Sequence, residues 1–362
     1  MKLKKLIAII GVASMLSAAL VGCGSDTSSE QEENQPEISE EKTPEVEEEK
    51  VPEEETGMGK RTMEFANGEM EVPETFENFL VADYTILENF VALGVIPTYG
   101  SVAEKPAEMT NYYNDWERAF GDFDLQSIQV ANHKSDTYIE EIIAWDPSFI
   151  VVAEGNKNLE KLQEIAPTYV FPAMTEAPEG STIWKEQFRY AGEFLGKEQE
   201  VEDKIAEYDK LKEESVAAAA DKVKGKTALV LQLNSKGFKI RMPETQASVY
   251  EDMGFAVPEG LTQDFASTSV ANEDGSFPVE QIVEFNPDYI FIQTQDDEAY
   301  RALVGTPVWE NIQAVKDGHV YEITQSVWNH LNGYLANTQR IKDLTHFIVE
   351  DKQVAYETPI EE

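Results

Sequence analysis

The stretch Glu140-Glu-Ile-Ile-Ala-Trp-Asp-Pro-Ser-Phe-Ile-Val-Val152 decides the fold, because the chain repeats it as Glu280-Gln-Ile-Val-Glu-Phe-Asn-Pro-Asp-Tyr-Ile-Phe-Ile292. Four of the thirteen pairs are identical, and most others exchange like for like: Ile143 with Val283, Trp145 with Phe285, Asp146 with Asn286, Phe149 with Tyr289. Each copy reads as a short helix, stopped by a proline that disfavours helix in the residue before it. An apolar run follows, as in a strand buried on both faces. Two copies of one helix–strand unit predict two similar α/β lobes.

Working outward, Thr227-Ala-Leu-Val-Leu-Gln-Leu233 opens the second lobe as a strand. In the first lobe Phe79–Ala82 reads as a strand, Ile86–Leu93 as a helix and Tyr169–Pro172 as a late strand. Between the lobes, Trp184–Leu195 is a helix ended by Gly196, and Lys197 to about Val223 is a second. In the latter Ile205, Tyr208, Leu211 and Val216 recur at roughly helical spacing among Glu and Lys, with an alanine run at 217–220. About 25 residues at 1.5 Å each make a rod of nearly 40 Å, long enough to join two lobes rigidly.

The N-terminus is an address. Lys2, Lys4 and Lys5 precede an uncharged stretch, Leu6–Val21, too short to span a bilayer comfortably, which is a secretory signal pattern. Leu20-Val21-Gly22-Cys23 then matches a lipobox, so the chain's one cysteine reads as a lipid attachment point and not as a nucleophile. Gly24–Gly57 holds fourteen acids, two lysines, three prolines and almost nothing apolar, the composition of a disordered, self-repelling tether. The expected divisions are a signal at 1–22, lipidated Cys23 with the tether to 57, a first lobe at 58–196, the interlobe helix at 197–224 and a second lobe at 225–362.

The formal net charge is −40, from 69 acids against 29 bases. Subtracting the +3 of the first 23 residues and the −12 of the tether leaves about −31 on the folded part. Such a surface repels phosphate backbones, which argues against nucleic acid. One cysteine excludes an internal disulfide framework or a thiolate zinc cluster.

Together these features resemble the siderophore and cobalamin class of ABC-transporter substrate-binding proteins, over roughly Arg61 to Val354. The matching segments are Leu93-Gly-Val-Ile-Pro97, Tyr138–Val152, Leu162-Gln-Glu-Ile-Ala-Pro167, Tyr190–Gly196, Tyr250-Glu-Asp-Met-Gly-Phe255, the Glu280 repeat and Trp309–Tyr321. The resemblance implies the class III periplasmic-binding-protein fold, two Rossmann-like α/β lobes joined by one long backbone helix. It also implies a ligand cleft between lobes, and a monomer held to the outer face of the cell membrane by its lipid. Glu140 and Glu280 occupy the positions that dock onto arginines of the permease, which works with its ATPase.

A ferric siderophore arrives with its iron already coordinated, so no direct metal ligands and no cofactor are expected. The four histidines, His133, His319, His330 and His346, are too few and too scattered for a bare metal site. Anionic catecholate or citrate complexes call for clustered Arg and Lys, whereas six arginines in an acidic chain suit a neutral or cationic hydroxamate complex better.

By resemblance the first-lobe ligand positions are Lys134, with His133 beside it, and Asn156, where tyrosine is commoner; Tyr112, Tyr113 and Trp116 form an aromatic cluster read at the cleft edge. In the second lobe they are Phe238 and Arg241 on one strand edge, and Trp328 with Tyr334 and His330 after the final strand. Cobalamin or haem is the alternative cargo, and an adhesin or sensor of the same fold would not need Glu140 and Glu280. With no Gly-rich phosphate loop and no Gly-x-Ser-x-Gly elbow, nothing supplies catalytic machinery.

Overall fold

The computed structural model describes residues 61–102, 123, 127–262, 265, 275–294 and 297–352. The signal, Cys23, the tether, Tyr112, Tyr113 and Trp116 lie outside the described residues. The described chain opens with an antiparallel hairpin, β1 (Thr62–Phe65) and β2 (Gly68–Glu71). It covers the edge of the first lobe, where Ala66 N donates to Val170 O at 2.9 Å and Asn67 Nδ2 to Thr168 O at 2.8 Å.

The first sheet is β3 (Phe79–Val81), β4 (Tyr99–Val102), β5 (Gln129–Asn132), β6 (Phe149–Ala153) and β7 (Thr168–Phe171), in the order β5-β4-β3-β6-β7 with every described pairing parallel. Helix α1 (Tyr84–Ala92) follows β3, α2 (Tyr138–Trp145) precedes β6 and α3 (Leu159–Gln163) precedes β7. Side chains of β6 and β7 meet protein on both faces, so Phe149–Val152 and Thr168–Phe171 are all buried. α4 (Ile183–Leu195) ends at Gly196, left-handed at φ 68, and α5 (Glu198–Val223) runs 26 residues, roughly 39 Å at the usual rise.

The second sheet holds β8 (Ala228–Asn234), β9 (Gly237–Ile240), β10 (Tyr289–Thr294) and β11 (Val320–Glu322), in the order β11-β10-β8-β9 with β9 antiparallel to β8. Helices α6 (Val279–Phe285), α7 (Asp297–Leu303) and α8 (Gln313–Asp317) accompany it, and α9 (Tyr334–Glu350) closes the described chain. The fold is therefore α/β with two lobes, each built on a sheet that is mostly or wholly parallel.

The repeat has one physical basis in both lobes. α2 ends at Asp146 (φ 49, ψ 57) and α6 at Asn286 (φ 42, ψ 57), each in the left-handed conformation that Asp and Asn tolerate best after glycine. Their amides donate to Ile142 O at 3.3 Å and Ile282 O at 3.0 Å. Pro147 and Pro287 then forbid another helical turn, and the chain drops into β6 or β10.

Each lobe buries a cluster of its own, around Leu80, Ile142 and Ile150 in the first and Leu229, Phe238 and Ile290 in the second, and a further cluster is shared between them. The shared cluster runs from Phe79 and Phe90 through Phe188, Phe194 and Tyr208 to Phe291, Trp328 and Phe347. α9 joins the lobes: although the last of the described helices, it packs on α5 and also against α1 and α4 of the first lobe.

Candidate functional site

The carboxyl ends of the strands position the site, as they do in open α/β sheets generally. Tyr84, two residues after Ala82, stacks on His330 beyond the end of β11, with ring centroids 5.8 Å apart and planes 10° from parallel. The two sheets thus meet through segments that leave their carboxyl ends.

On the first-lobe side, Asp83 caps α1. Its Oδ1 accepts from Thr85 N at 2.9 Å and Ile86 N at 3.0 Å, and burial raises its pKa despite those bonds. Asp83 also borders a cavity of about 200 Å³ lined by Thr85, Asn89, Phe171, Gln187 and Tyr190 among others. Lys134 and His133 extend from the end of β5 and are exposed. An Asx turn fixes that loop, with Lys134 N donating to Asn132 Oδ1 at 2.9 Å, while His133 Nδ1 lies 3.4 Å from Ser101 Oγ. Asn156 follows β6, but its Oδ1 already accepts from Asn158 N at 2.9 Å, so its side chain builds the turn into α3.

On the second-lobe side, Arg241 follows β9, half-buried. Its Nη2 donates to Gln232 Oε1 at 2.8 Å, its Nε is buried without an acceptor, and no carboxylate among the described residues pairs with it. Desolvation lowers its pKa, the expected response of a cation taken out of water without a counter-charge. Gln232 pairs in register with Gln293, which is 4% exposed and has its Nε2 buried without a partner. Near the carboxyl ends of β8 and β10 there is therefore a patch of buried donors, two of them lacking acceptors. Buried donors are nearly always satisfied, so such a patch is suited to an oxygen-rich ligand or ordered water.

Three residues expected in the cleft belong to the core instead. Phe238 is 2% exposed and lies parallel to Trp309, with centroids 6.1 Å apart. It and Arg241 are three residues apart on one extended segment, so the period of two sends them to opposite faces. Trp328 is 1% exposed, stacks on Phe291 and donates its indole N–H to Asp343 Oδ2 at 2.9 Å. Tyr334 is buried at the start of α9, parallel to Phe188 at 5.2 Å.

Sequence reasoning missed Asp83, Gln232 and Gln293. Asp83 carried an N-cap signal, an Asp just before an apolar-periodic run. The glutamines carried a fainter one: Gln232 interrupts an otherwise apolar buried run, Leu-Val-Leu-Gln-Leu, and Gln293 ends another, Tyr-Ile-Phe-Ile-Gln.

Glu140 and Glu280 are exposed in the first turns of α2 and α6, at equivalent points of the two copies. Among the described residues no three His, Cys, Asp or Glu converge as a metal site, and no helix is long and apolar enough to cross a membrane.

A family model described as "Periplasmic binding protein" matches residues 80–327. Of curated relatives in Bacillus subtilis (strain 168), an iron-uptake system-binding protein is 30% identical over 189 residues, 45% of this chain and 57% of its own length. The Fe(3+)-citrate-binding protein YfmC is 25% identical, covering 94% of this chain and 96% of the relative. The iron(3+)-hydroxamate-binding protein FhuD is 24% identical, covering 86% and 88%. Among solved structures, the triscatecholate siderophore binding protein FeuA of Bacillus subtilis, complexed with ferri-bacillibactin, aligns with a TM-score of 0.59. It is 21% identical and the alignment covers 81% of this chain and 99% of that one.

Proposed function

The chain belongs to the periplasmic binding protein family, and from that premise we propose that it is the extracytoplasmic substrate-binding lipoprotein of an ABC importer, capturing a ferric siderophore between its lobes. Relatives named for iron uptake, ferric citrate and ferric hydroxamate support the cargo class without separating its members. The favoured cargo is a hydroxamate-type complex. The observation that carries this is Arg241, a desolvated guanidinium with no counter-charge among the described residues.

Of the other arginines, Arg61 donates to the carbonyls of Glu193 and Phe194, Arg189 pairs with Glu186 and Glu202, and Arg340 binds backbone carbonyls. Arg301 also has a partner, and Arg118 lies outside the described residues. One arginine with an unmet donor among the described residues, with Lys134 in the other lobe, suits a complex that presents chelate oxygens but little net negative charge. The iron stays within its chelator, so the protein supplies shape, donors and exclusion of water. Cys23 is the proposed lipid anchor, and Glu140 with Glu280 the proposed permease contacts.

The test is titration of the purified protein with a ferric trishydroxamate, a ferric triscatecholate, cobalamin and haem, followed by intrinsic fluorescence. Saturation is expected with the trishydroxamate. Arg241→Met should weaken it by about 1–3 kcal/mol, the cost of a lost hydrogen bond to a buried acceptor. Saturation by cobalamin or haem alone would overturn the cargo, and preference for the triscatecholate would overturn the charge argument.

A further inference from the structure

Glu88 is buried on the core side of α1, with no accessible surface. Its Oε2 accepts from Gly333 N at 2.7 Å and its Oε1 from Ala336 N at 2.6 Å. Gly333 is the N-cap of α9 and Ala336 its third helical residue, so these two amides are the ones a capping box normally satisfies from within the helix itself. Gly333 has no side chain to do so, and no room for one. A Cβ there would lie 2.5 Å from Asn89 Oδ1 and 2.8 Å from Glu88 Oε2. The first lobe thus caps the helix that closes the second.

Arg340, 2% exposed, braces the approach to that cap: its Nε donates to Val327 O at 2.8 Å, Nη1 to Asn332 Oδ1 at 3.1 Å and Nη2 to Leu331 O. Tyr84, one turn before Glu88, makes the stack on His330 at the same interface.

We propose that Glu88 is a proton-controlled latch between the lobes, holding α9 on α1 while its carboxyl group carries a proton and loosening when that proton is lost. The latch has two states, the docked one of this structure, in which the carboxyl is dry, and a parted one in which it would meet water. Docking strips more hydration from a carboxylate than from a carboxylic acid. Desolvation outweighs the backbone N–H bonds and the field of Arg340, and pushes Glu88 up to about 7.

The sign follows from linkage. The docked carboxyl binds its proton more tightly than a hydrated one with the ordinary value of 4.5, so docking is fully favoured at low pH and loses that preference as pH rises through about 7. With those two values, parting becomes about tenfold easier between roughly pH 6 and 8.

The elements packed on α1 bring few other charges to bear. α9 contributes Arg340, Asp343 and Tyr334, of which Arg340 acts on Glu88. On α4, Lys185 is bound to Asp209 and Arg189 to Glu186 and Glu202. Of β3, β4 and β6 only β4 carries a titratable side chain, Tyr99, and Asp83 caps α1 itself. His330 lies across the interface, and a change at Glu88 leaves it in place.

The proposal does not depend on the cargo and is tested on the full chain. Hydrogen exchange at Gly333 and Ala336, corrected for intrinsic rates, should lose about tenfold protection from pH 6 to 8 in the wild type, and none of that loss should remain in Glu88→Gln. Protection that is flat with pH in the wild type, or that falls equally in the variant, overturns the latch. Should Glu88→Gln fail to fold, the assigned Glu88 carboxyl carbon of the wild type decides by NMR. A midpoint near 7 supports the latch, and one near 4.5 overturns it.

Discussion

Replacing Trp328 with phenylalanine should destabilise the protein and leave its ligand affinity alone. The indole is 1% exposed, and its N–H is 2.9 Å from Oδ2 of Asp343, itself 2% exposed. The other carboxylate oxygen accepts from Gln339 Nε2 at 2.7 Å, so phenylalanine leaves a buried carboxylate one donor short. A lost hydrogen bond to a charged group costs about 1.5–3 kcal/mol. The smaller ring gives up roughly 40 Å² of buried apolar surface, about 1 kcal/mol at 25 cal/mol per Å². Together these give about 3 kcal/mol, which for a folded unit of this size lowers a urea midpoint by roughly 1 M. Circular dichroism across a urea series measures it, with ligand titration in the absence of urea as the companion assay. An unchanged midpoint with affinity reduced tenfold would put Trp328 against the ligand and refute the core assignment.

Gly192→Ala places a methyl 2.4 Å from Val201 Cγ2, where α4 packs on α5, and should cost about 1–3 kcal/mol of overpacking in thermal unfolding. An unaltered melting temperature would mean that this helix pair yields freely. Gln293→Leu removes a buried donor that has no acceptor, so stability should hold or rise while ligand affinity falls by about 1–3 kcal/mol. Lost stability with intact affinity would give the side chain a structural role instead. Glu140→Gln combined with Glu280→Gln should abolish uptake by cells without changing ligand affinity; continued uptake would remove both residues from the permease contact.

What the sequence revealed and what it hid follow from the range of the interactions involved. The Asp-Pro and Asn-Pro stops at 146–147 and 286–287 are legible because a left-handed cap followed by proline is a local geometry, and the apolar runs after them can only be buried strands. The alternation along β9 is local too, and applied strictly it sends Phe238 and Arg241 to opposite faces, so the two could not both have been ligand contacts. Trp328 cannot be placed that way. Whether an aromatic at a turn meets ligand or core depends on Asp343 and Phe291, which reach it only in the folded chain. Glu88 is visible as an acid inside the apolar run Ile86–Leu93, yet its partners lie some 245 residues away. No window of sequence joins the two.

That separation also has a consequence for how the chain folds. The helix that completes the first lobe's core lies some 245 residues beyond Glu88, so until α9 docks, Glu88 has no helix end to cap and the apolar face that α9 covers stays open. Contacts spanning most of the chain form slowly, because the loop they close must be ordered before they stabilise anything. The core shared by the two lobes is therefore completed late, when α9 docks on α1, α4 and α5.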